Sequence, residues 1–207
     1  MKLFKRNIRD ISYDEYSFMR YYVSNEKLEK IDKFRFYDDR LRSVCGYYTA
    51  VSALAEIEGI PQKEIIISYD ENGKPYPLNS SARFSISHSE DMVVCAVSDR
   101  EIGVDIEKIK KSRLIVAKRI CDIDELIYIF GKEPQEEDFA IENRAVQQRF
   151  FEIWTKKEAF GKMKGFGINY DMKSHNVIDG ENILFGDYVI AVCEENAGFT
   201  VPEKTDT

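Results

Sequence analysis

Two acidic residues alternate along a short apolar segment, IGVDIE, at positions 102–107. Alternate side chains of a β-strand share one face, so Asp105 and Glu107 would lie about 7 Å apart on the same side. Neighbouring carboxylates repel each other and strands disfavour them, so a cation between them is one explanation. Oxygen ligands at this spacing suit Mg²⁺. The alternative is the solvent face of an edge strand.

A second group of polar side chains follows a helical spacing in the segment WTKKEAFGKMKG. Trp154, Glu158 and Lys162 are four residues apart, which places them along one face of a helix. A surface ion pair is the simple interpretation of the glutamate and the lysine. The tryptophan predicts instead that this face lies at the margin of a core, where charged groups can do chemistry.

Two turns carry residue types that suit phosphate binding. The segment ISHSE places His88 between Ser87 and Ser89, and two hydroxyls, an imidazole and turn amides can together cradle a phosphate. A histidine satisfied within its own turn is the alternative. The segment ENGKPY places Lys74 on a stiff turn between a glycine and a proline, which has no functional meaning by itself.

Basic residues are concentrated at the start of an acidic chain. The net charge is −7, yet residues 1–42 hold 11 Lys and Arg against 8 Asp and Glu. The acidic total argues against general nucleic-acid binding. A local basic set suits a small polyanionic ligand, and a solvated helix face is the alternative.

Taken in order, these segments resemble the 4′-phosphopantetheinyl transferases, and among them the larger, monomeric Sfp-type enzymes. The order is G-K-P, S-H-S, G-V-D-I-E and W-T-x-K-E-A-x-x-K, after a basic segment, EKLEKIDKFRFYDDRLRSVCG, in which Arg42 precedes Gly46. The resemblance covers about residues 25–168. It implies an α+β fold with a pseudo-twofold duplication, in which each half is a small antiparallel sheet packed on a long helix. We expect the halves to be residues 1–108 and 109–207.

The resemblance also implies a role for each site residue. The metal ligands for Mg²⁺ would be Asp105, Glu107 and Glu158, and the catalytic residues would be Glu158, Lys162 and Asp105. The residues that bind coenzyme A would be Lys27, Lys30, Arg42 and His88 near the 3′-phosphate, Lys74 near the adenine or ribose, and Ser87 and Lys162 near the other phosphates.

The implied reaction is attack by a serine hydroxyl of an apo acyl, peptidyl or aryl carrier protein on the β-phosphate of coenzyme A. Phosphopantetheine would remain on the serine and 3′,5′-ADP would leave. Either Glu158 or a metal-bound water would take the hydroxyl proton. Two alternatives stay open: a non-catalytic homologue that binds coenzyme A or a carrier, and an unrelated Mg²⁺-dependent phosphohydrolase.

Three positions depart from the family pattern. Ser85 stands where relatives often have asparagine, and Glu90 and Asp91 follow S-H-S where a neutral or basic residue is common. Acidic groups beside a phosphate loop would either weaken coenzyme binding or point away from it.

The elements that must position these residues follow the order helix, strands, helix, strands. Residues 1–40 look helical, and residues 84–87, 92–98 and 102–107 are typical of an antiparallel meander. A strong amphipathic helix is predicted over 145–164, with Gly165 as its C-terminal glycine. A similarity between DMVVCAV at 91–97 and DYVIAVC at 187–193 favours a duplication; one α+β domain with two unrelated sheets is the alternative.

Composition bounds the class of protein. The 207 residues are 43% hydrophobic and 32% charged, enough for one large or two small folded units. We expect a cytoplasmic protein without a membrane segment, because no apolar stretch approaches the roughly 18–20 residues of a membrane span. The resemblance to the Sfp-type enzymes implies a monomer. The four cysteines show no metal or redox spacing, so we expect buried free thiols.

Overall fold

Three helices and five strands form the first part of the chain in this computed structural model, which describes residues 1–112, 114–166 and 171–201. The helices are α1 (Tyr13–Arg20), α2 (Asn25–Ile31) and α3 (Tyr37–Glu58), and the strands are β1 (Lys2–Asn7), β2 (Ile67–Tyr69), β3 (Pro75–Pro77), β4 (Arg83–Ser89) and β5 (Met92–Ser98). Strands β1, β5 and β4 make an antiparallel sheet in that order, with α3 packed on it. Strands β2 and β3 form a separate hairpin.

The second part repeats the arrangement of a long helix on a small antiparallel sheet. Its strands are β6 (Ile102–Lys108), β7 (Ile183–Phe185), β8 (Tyr188–Glu194) and β9 (Gly198–Phe199), and its helices are α4 (Ala117–Ile120), α5 (Ile123–Phe130) and α6 (Arg144–Lys164). The sheet order is β6–β8–β7, with β9 also paired to β8. Helix α6 packs on β6 and β8. The predicted α+β class is therefore confirmed.

Helix α6 lies where its sequence pattern predicts. Asn143 caps its first turn by accepting hydrogen bonds from the backbone N–H groups of Ala145 and Val146. Gly165 ends it in the left-handed conformation, at φ +69°, which an L side chain rarely adopts. The buried residues Phe150 and Ile153 belong to the core that α6 shares with α5.

The sequence interpretation was wrong at two strands. The first residues are not helical, because β1 pairs antiparallel with β5 and covers its second edge. All seven residues of β5 are buried, so that edge needs a hydrogen-bonded neighbour. Strand β6 does not continue the meander after β5, but pairs with β8 from residue 188 onward. Strand β6 therefore belongs to the sheet of the second part. The expected boundary between the two halves, after residue 108, stays a prediction.

Side-chain hydroxyls join the two sheets where β4 runs beside β6. Ser85 Oγ accepts a hydrogen bond from the backbone N–H of Val104 at 3.1 Å, and Ser89 Oγ accepts one from Lys108 at 3.2 Å. A shared apolar core, which includes Val94 from the first sheet, lies between the sheets. The serines therefore replace a backbone ladder along this seam, and β6 is held at a fixed register against β4.

Two predictions about composition can be compared with the structure. All four cysteines, Cys45, Cys95, Cys121 and Cys193, are buried free thiols, as predicted. In the described part of the chain, none of the helices combines the length and the apolar character that crossing a bilayer requires.

Candidate active site

A cleft opens beside the seam, with walls from both parts of the chain. Its volume is about 570 Å³. One wall is the turn of the β2–β3 hairpin, residues 72–75, and another is β4 at residues 84–86. Glu158 and Lys162 of α6 form the facing wall. Glu158 and Lys162 therefore both line this cleft, and their predicted catalytic roles stay predictions.

Lys162 ties the helix to both neighbouring strands. Its ammonium group donates hydrogen bonds to Asp105 Oδ1 at 2.6 Å, to Ser87 Oγ at 2.9 Å and to the carbonyl oxygen of Val104 at 3.1 Å. Ser87 in turn donates to Asp105 Oδ1 at 2.7 Å. Residues from β4, β6 and α6 therefore meet at one carboxylate oxygen.

Asp105 is buried, so the alternative of a solvent-facing edge strand is excluded for this residue. Its second oxygen, Oδ2, is buried and has no hydrogen-bond partner among the described residues. Burial raises the pKa of Glu107, which accepts a hydrogen bond from Ser89 at 2.8 Å, and repulsion from Asp105 adds to the rise. Burial and Asp105 likewise raise the pKa of Glu158. The three carboxylates therefore lie close enough to repel one another, and the nearby Lys162 ammonium offsets only part of that repulsion.

These groups suit a hard cation. Mg²⁺ prefers carboxylate oxygens, and an orphaned buried carboxylate oxygen is the kind of atom that a metal ion satisfies. Across residues 1–112, 114–166 and 171–201, no group of three or more His, Cys, Asp or Glu side chains forms a ready-made metal site. The donor set fits Mg²⁺ by its chemistry, and the Lys162 ammonium now supplies positive charge to Asp105.

Positive charge also lines the outer end of β4. Arg42 of α3 donates to the carbonyl oxygen of Glu90 at 2.7 Å and to Asp39 Oδ1 at 2.5 Å. His88 reaches solvent, although much of its ring is enclosed by protein. Partial burial lowers the pKa of His88, and the charges of Arg42 and Lys162 lower it further. Arg42, Lys162 and His88 together line what we call the cationic rim, in which His88 is uncharged above its lowered pKa.

The other predicted lysines contact the β2–β3 hairpin or belong to it. The ammonium groups of Lys27 and Lys30 stand 5.6 and 5.7 Å from the ring centre of Tyr69 in β2. Burial lowers the pKa of Lys27, and the charge of Lys30 adds to the effect. Lys74 lines the cleft, but its ammonium donates to Glu101 at 2.5 Å. The structure therefore places the cationic rim near the three carboxylates, and places Lys27, Lys30 and Lys74 at the β2–β3 hairpin.

The two acids that depart from the family pattern are both paired away from the loop. Glu90 accepts a hydrogen bond from Lys110 at 2.9 Å, and Asp91 accepts one from Arg9 at 2.8 Å. Ser89, which the sequence placed in a phosphate cradle, turns inward to hold Glu107. Nothing in the local sequence signals that inward contact, because it depends on β6 lying beside β4.

The fold and the cleft together define a class of protein: a two-part α+β chain whose parts share one cleft with acidic and basic side chains. The family model described as "4′-phosphopantetheinyl transferase, N-terminal" matches residues 10–100, and the "4′-phosphopantetheinyl transferase superfamily" model matches residues 101–199. The chain belongs to the 4′-phosphopantetheinyl transferase superfamily.

Curated relatives agree with the family models. The chain is 36% identical over 154 residues to 4′-phosphopantetheinyl transferase psf-1 of Bacillus pumilus, covering 74% of this chain and 62% of that protein. It is 34% identical to a 4′-phosphopantetheinyl transferase of Bacillus subtilis and 31% identical to 4′-phosphopantetheinyl transferase Sfp of Bacillus subtilis strain 168. Each of these two alignments covers 82% of this chain and 72% of the relative. The predicted family resemblance is confirmed.

Proposed function

We propose that this chain transfers the 4′-phosphopantetheine group of coenzyme A to a serine of an apo carrier protein, with release of 3′,5′-ADP. The observation that carries the proposal is the network at Asp105. There, Lys162 of α6 and Ser87 of β4 meet the same carboxylate oxygen beside a cleft of about 570 Å³. A substrate in this cleft would touch both parts of the chain.

The charged groups divide between holding phosphates and moving a proton. Asp105, Glu107 and Glu158 would hold Mg²⁺, which when bound supplies positive charge to the pyrophosphate oxygens. The Lys162 ammonium would donate to phosphoryl oxygens as negative charge develops on them. Glu158 lines the cleft, so its carboxylate can accept the hydroxyl proton of the carrier serine directly or through a water.

The cationic rim suits the 3′-phosphate of coenzyme A. Arg42 and His88 lie together near Lys162, and a guanidinium group binds phosphate through paired hydrogen bonds. Lys27 and Lys30 would add positive potential from the side of Tyr69. Binding of a dianionic phosphate would favour the protonated form of His88, so its pKa should rise when coenzyme A binds.

The acceptor in this proposal is an acyl, peptidyl or aryl carrier protein. Because one chain supplies every residue of the network, a monomer holds a complete site, and we propose that the protein acts as a monomer in the cytoplasm. Resident Mg²⁺ and coenzyme A as co-substrate belong to the same proposal. The identity of the carrier depends on surfaces outside this cleft.

The test is incubation with coenzyme A, Mg²⁺ and a panel of apo carrier proteins, followed by intact mass and by chromatography of 3′,5′-ADP. The proposal expects a carrier that gains one phosphopantetheine group, together with an equal amount of 3′,5′-ADP. A matched carrier with its acceptor serine replaced by alanine should gain nothing. Nucleotide release without carrier modification would indicate a phosphohydrolase, and coenzyme binding without either product would indicate a non-catalytic homologue.

The metal assignment has a test that does not need turnover. Calorimetric titration with Mg²⁺, in the presence of coenzyme A, should show binding that Asp105→Asn and Glu107→Gln weaken strongly. These substitutions keep side-chain size and remove charge, so the fold should survive. Asp171→Asn provides a control at a surface carboxylate whose oxygen caps a short turn. Unchanged Mg²⁺ affinity in Asp105→Asn would contradict the assignment.

A further inference from the structure

An ion pair between a lysine and a glutamate holds the hairpin beside the end of α6. The Lys74 ammonium, in the turn between β2 and β3, donates to Glu101 Oε2 at 2.5 Å and to the carbonyl oxygen of Met163 at 2.7 Å. Glu101 lies in the connection between β5 and β6, and its other oxygen accepts a hydrogen bond from Arg83 at 2.8 Å. The lysine thus links the hairpin, the strand connection and the last turn of α6.

The hairpin needs such a link because it is small. Its two strands have three residues each and form their own two-stranded sheet, and an isolated hairpin of this kind is marginally stable in water. The turn itself is fixed internally, since Asp70 Oδ1 accepts hydrogen bonds from the backbone N–H groups of Asn72 and Lys74 at 2.9 and 2.8 Å. The turn can therefore move only as a unit relative to α6.

The path of the Lys74 side chain sets the distance between that unit and the helix. A Cβ atom added to Gly165, the residue that ends α6, would lie 3.4 Å from Cδ of Lys74, so the aliphatic stem crosses the helix end in close contact. Turn residues 72–75 line one wall of the cleft, and Glu158 and Lys162 line another. The separation of these walls, and hence the width of the cleft, depends on where Lys74 is anchored.

The ammonium group of Lys74 makes its charged and polar contacts inside the protein. Only 18% of the Lys74 side chain is exposed, and its acceptors are a carboxylate and a carbonyl at the negative end of α6. Burial raises the pKa of Glu101, but the hydrogen bonds and charges of Lys74 and Arg83 outweigh burial and hold the pKa low. Glu101 therefore stays ionised and neutralises the lysine.

We propose that Glu101 is a positioning residue for coenzyme binding, which holds Lys74 and thereby the hairpin wall against α6. Lys74 then acts by holding the backbone of residues 72–75 in place as a wall of the cleft, and Glu101 balances its positive charge. This inference rests on the proposed function, because it takes coenzyme A as the ligand of the cleft. It gives a role to Glu101, for which the local sequence carries no signal.

The test is a double-mutant cycle on coenzyme A affinity, measured by calorimetry with the full chain. Glu101→Gln and Lys74→Met should each raise the Kd of coenzyme A about three- to tenfold. The double variant should be no weaker than the weaker single variant, because both substitutions break the same link. The slope of log Kd against salt should be the same for Lys74→Met and the natural protein, since no charge contact to the coenzyme is lost.

A direct charge contact between Lys74 and the coenzyme gives the opposite pattern. Glu101→Gln would then leave the Kd unchanged or lower it, because it frees the ammonium group, and Lys74→Met would reduce the salt slope. Either result overturns the inference. Glu56→Gln, at the exposed pair with Lys2, is the matched control and should leave the Kd unchanged. If the natural protein does not bind coenzyme A at all, the proposed function fails first and this inference fails with it.

Discussion

Gly103 is the position where one added methyl group should do the most damage. It lies in β6, two residues before Asp105, and β6 packs directly on α6. A Cβ atom at Gly103 would fall on the carbonyl oxygen of Ala159 and 2.5 Å from the backbone nitrogen of Met163. Both are helix backbone atoms, so neither can rotate away. Because real Cβ atoms are essentially never found nearer than 3.0 Å, and the Ala159 oxygen lies far inside that limit, the strand and the helix must separate by about 1 Å.

We expect Gly103→Ala to lower the free energy of unfolding by about 3 kcal/mol or more, the upper end of what overpacking costs. The same separation would pull Lys162 away from Asp105, and misplacement on the order of 1 Å can cost about 10²-fold in rate. Urea unfolding followed by circular dichroism measures the first effect. Carrier modification at a temperature where the variant is folded measures the second.

The control is Gly46→Ala in α3. There a Cβ atom would lie 2.8 Å from a methyl group of Ile86, which is a side-chain atom that can move. Alanine also favours a helix over glycine by about 1 kcal/mol. We therefore expect Gly46→Ala to change stability by no more than about 1 kcal/mol. A Gly103→Ala variant as stable as the natural protein would refute the reasoning about the contact between β6 and α6.

Three further predictions follow from buried and partly buried groups. The imidazole of His88 should titrate below pH 6.5 in the free protein by NMR, because burial and two cations disfavour its protonated form, and Arg42→Ala should raise that pKa. Lys157→Met should cost about 3–5 kcal/mol in urea unfolding, since it leaves the fully buried negative charge of Glu125 without a cation. Adding Glu125→Gln should restore part of the lost stability, and a double variant that is less stable than Lys157→Met would contradict the explanation. The four buried cysteine thiols, whose pKa values burial raises, should react with a disulfide reagent at pH 8 only after denaturation.

The local sequence pattern was sufficient to predict helix α6 and the shared face of Asp105 and Glu107. The apolar period, together with the glycine that ends the helix, predicted residues 145–164, and α6 spans Arg144–Lys164. Alternation placed Asp105 and Glu107 on one face, where each accepts a hydrogen bond from a serine of β4. These features depend on residues close in sequence, and their spacing is visible in the chain.

Strand partners and lysine contacts depend on residues far apart in sequence. β1 pairs with β5, which is about 90 residues later in the chain. β6 follows β5 in sequence, but it pairs with β8. No local spacing encodes these choices, because they follow from which strand edges remain to be covered. The placement of Lys74 against Glu101, 27 residues away, is of the same kind. Family resemblance supplied a list of lysines, and only the structure shows what each lysine contacts.

If groups from both parts of the chain act on one coenzyme molecule, Glu158→Gln should separate coenzyme binding from phosphopantetheine transfer. Coenzyme A affinity by calorimetry and a single turnover with an apo carrier, read by intact mass, are measured on the same preparation. We expect a Kd within a few-fold of that of the natural protein and no gain of phosphopantetheine on the carrier. Transfer at the rate of the natural protein in Glu158→Gln would contradict this expectation.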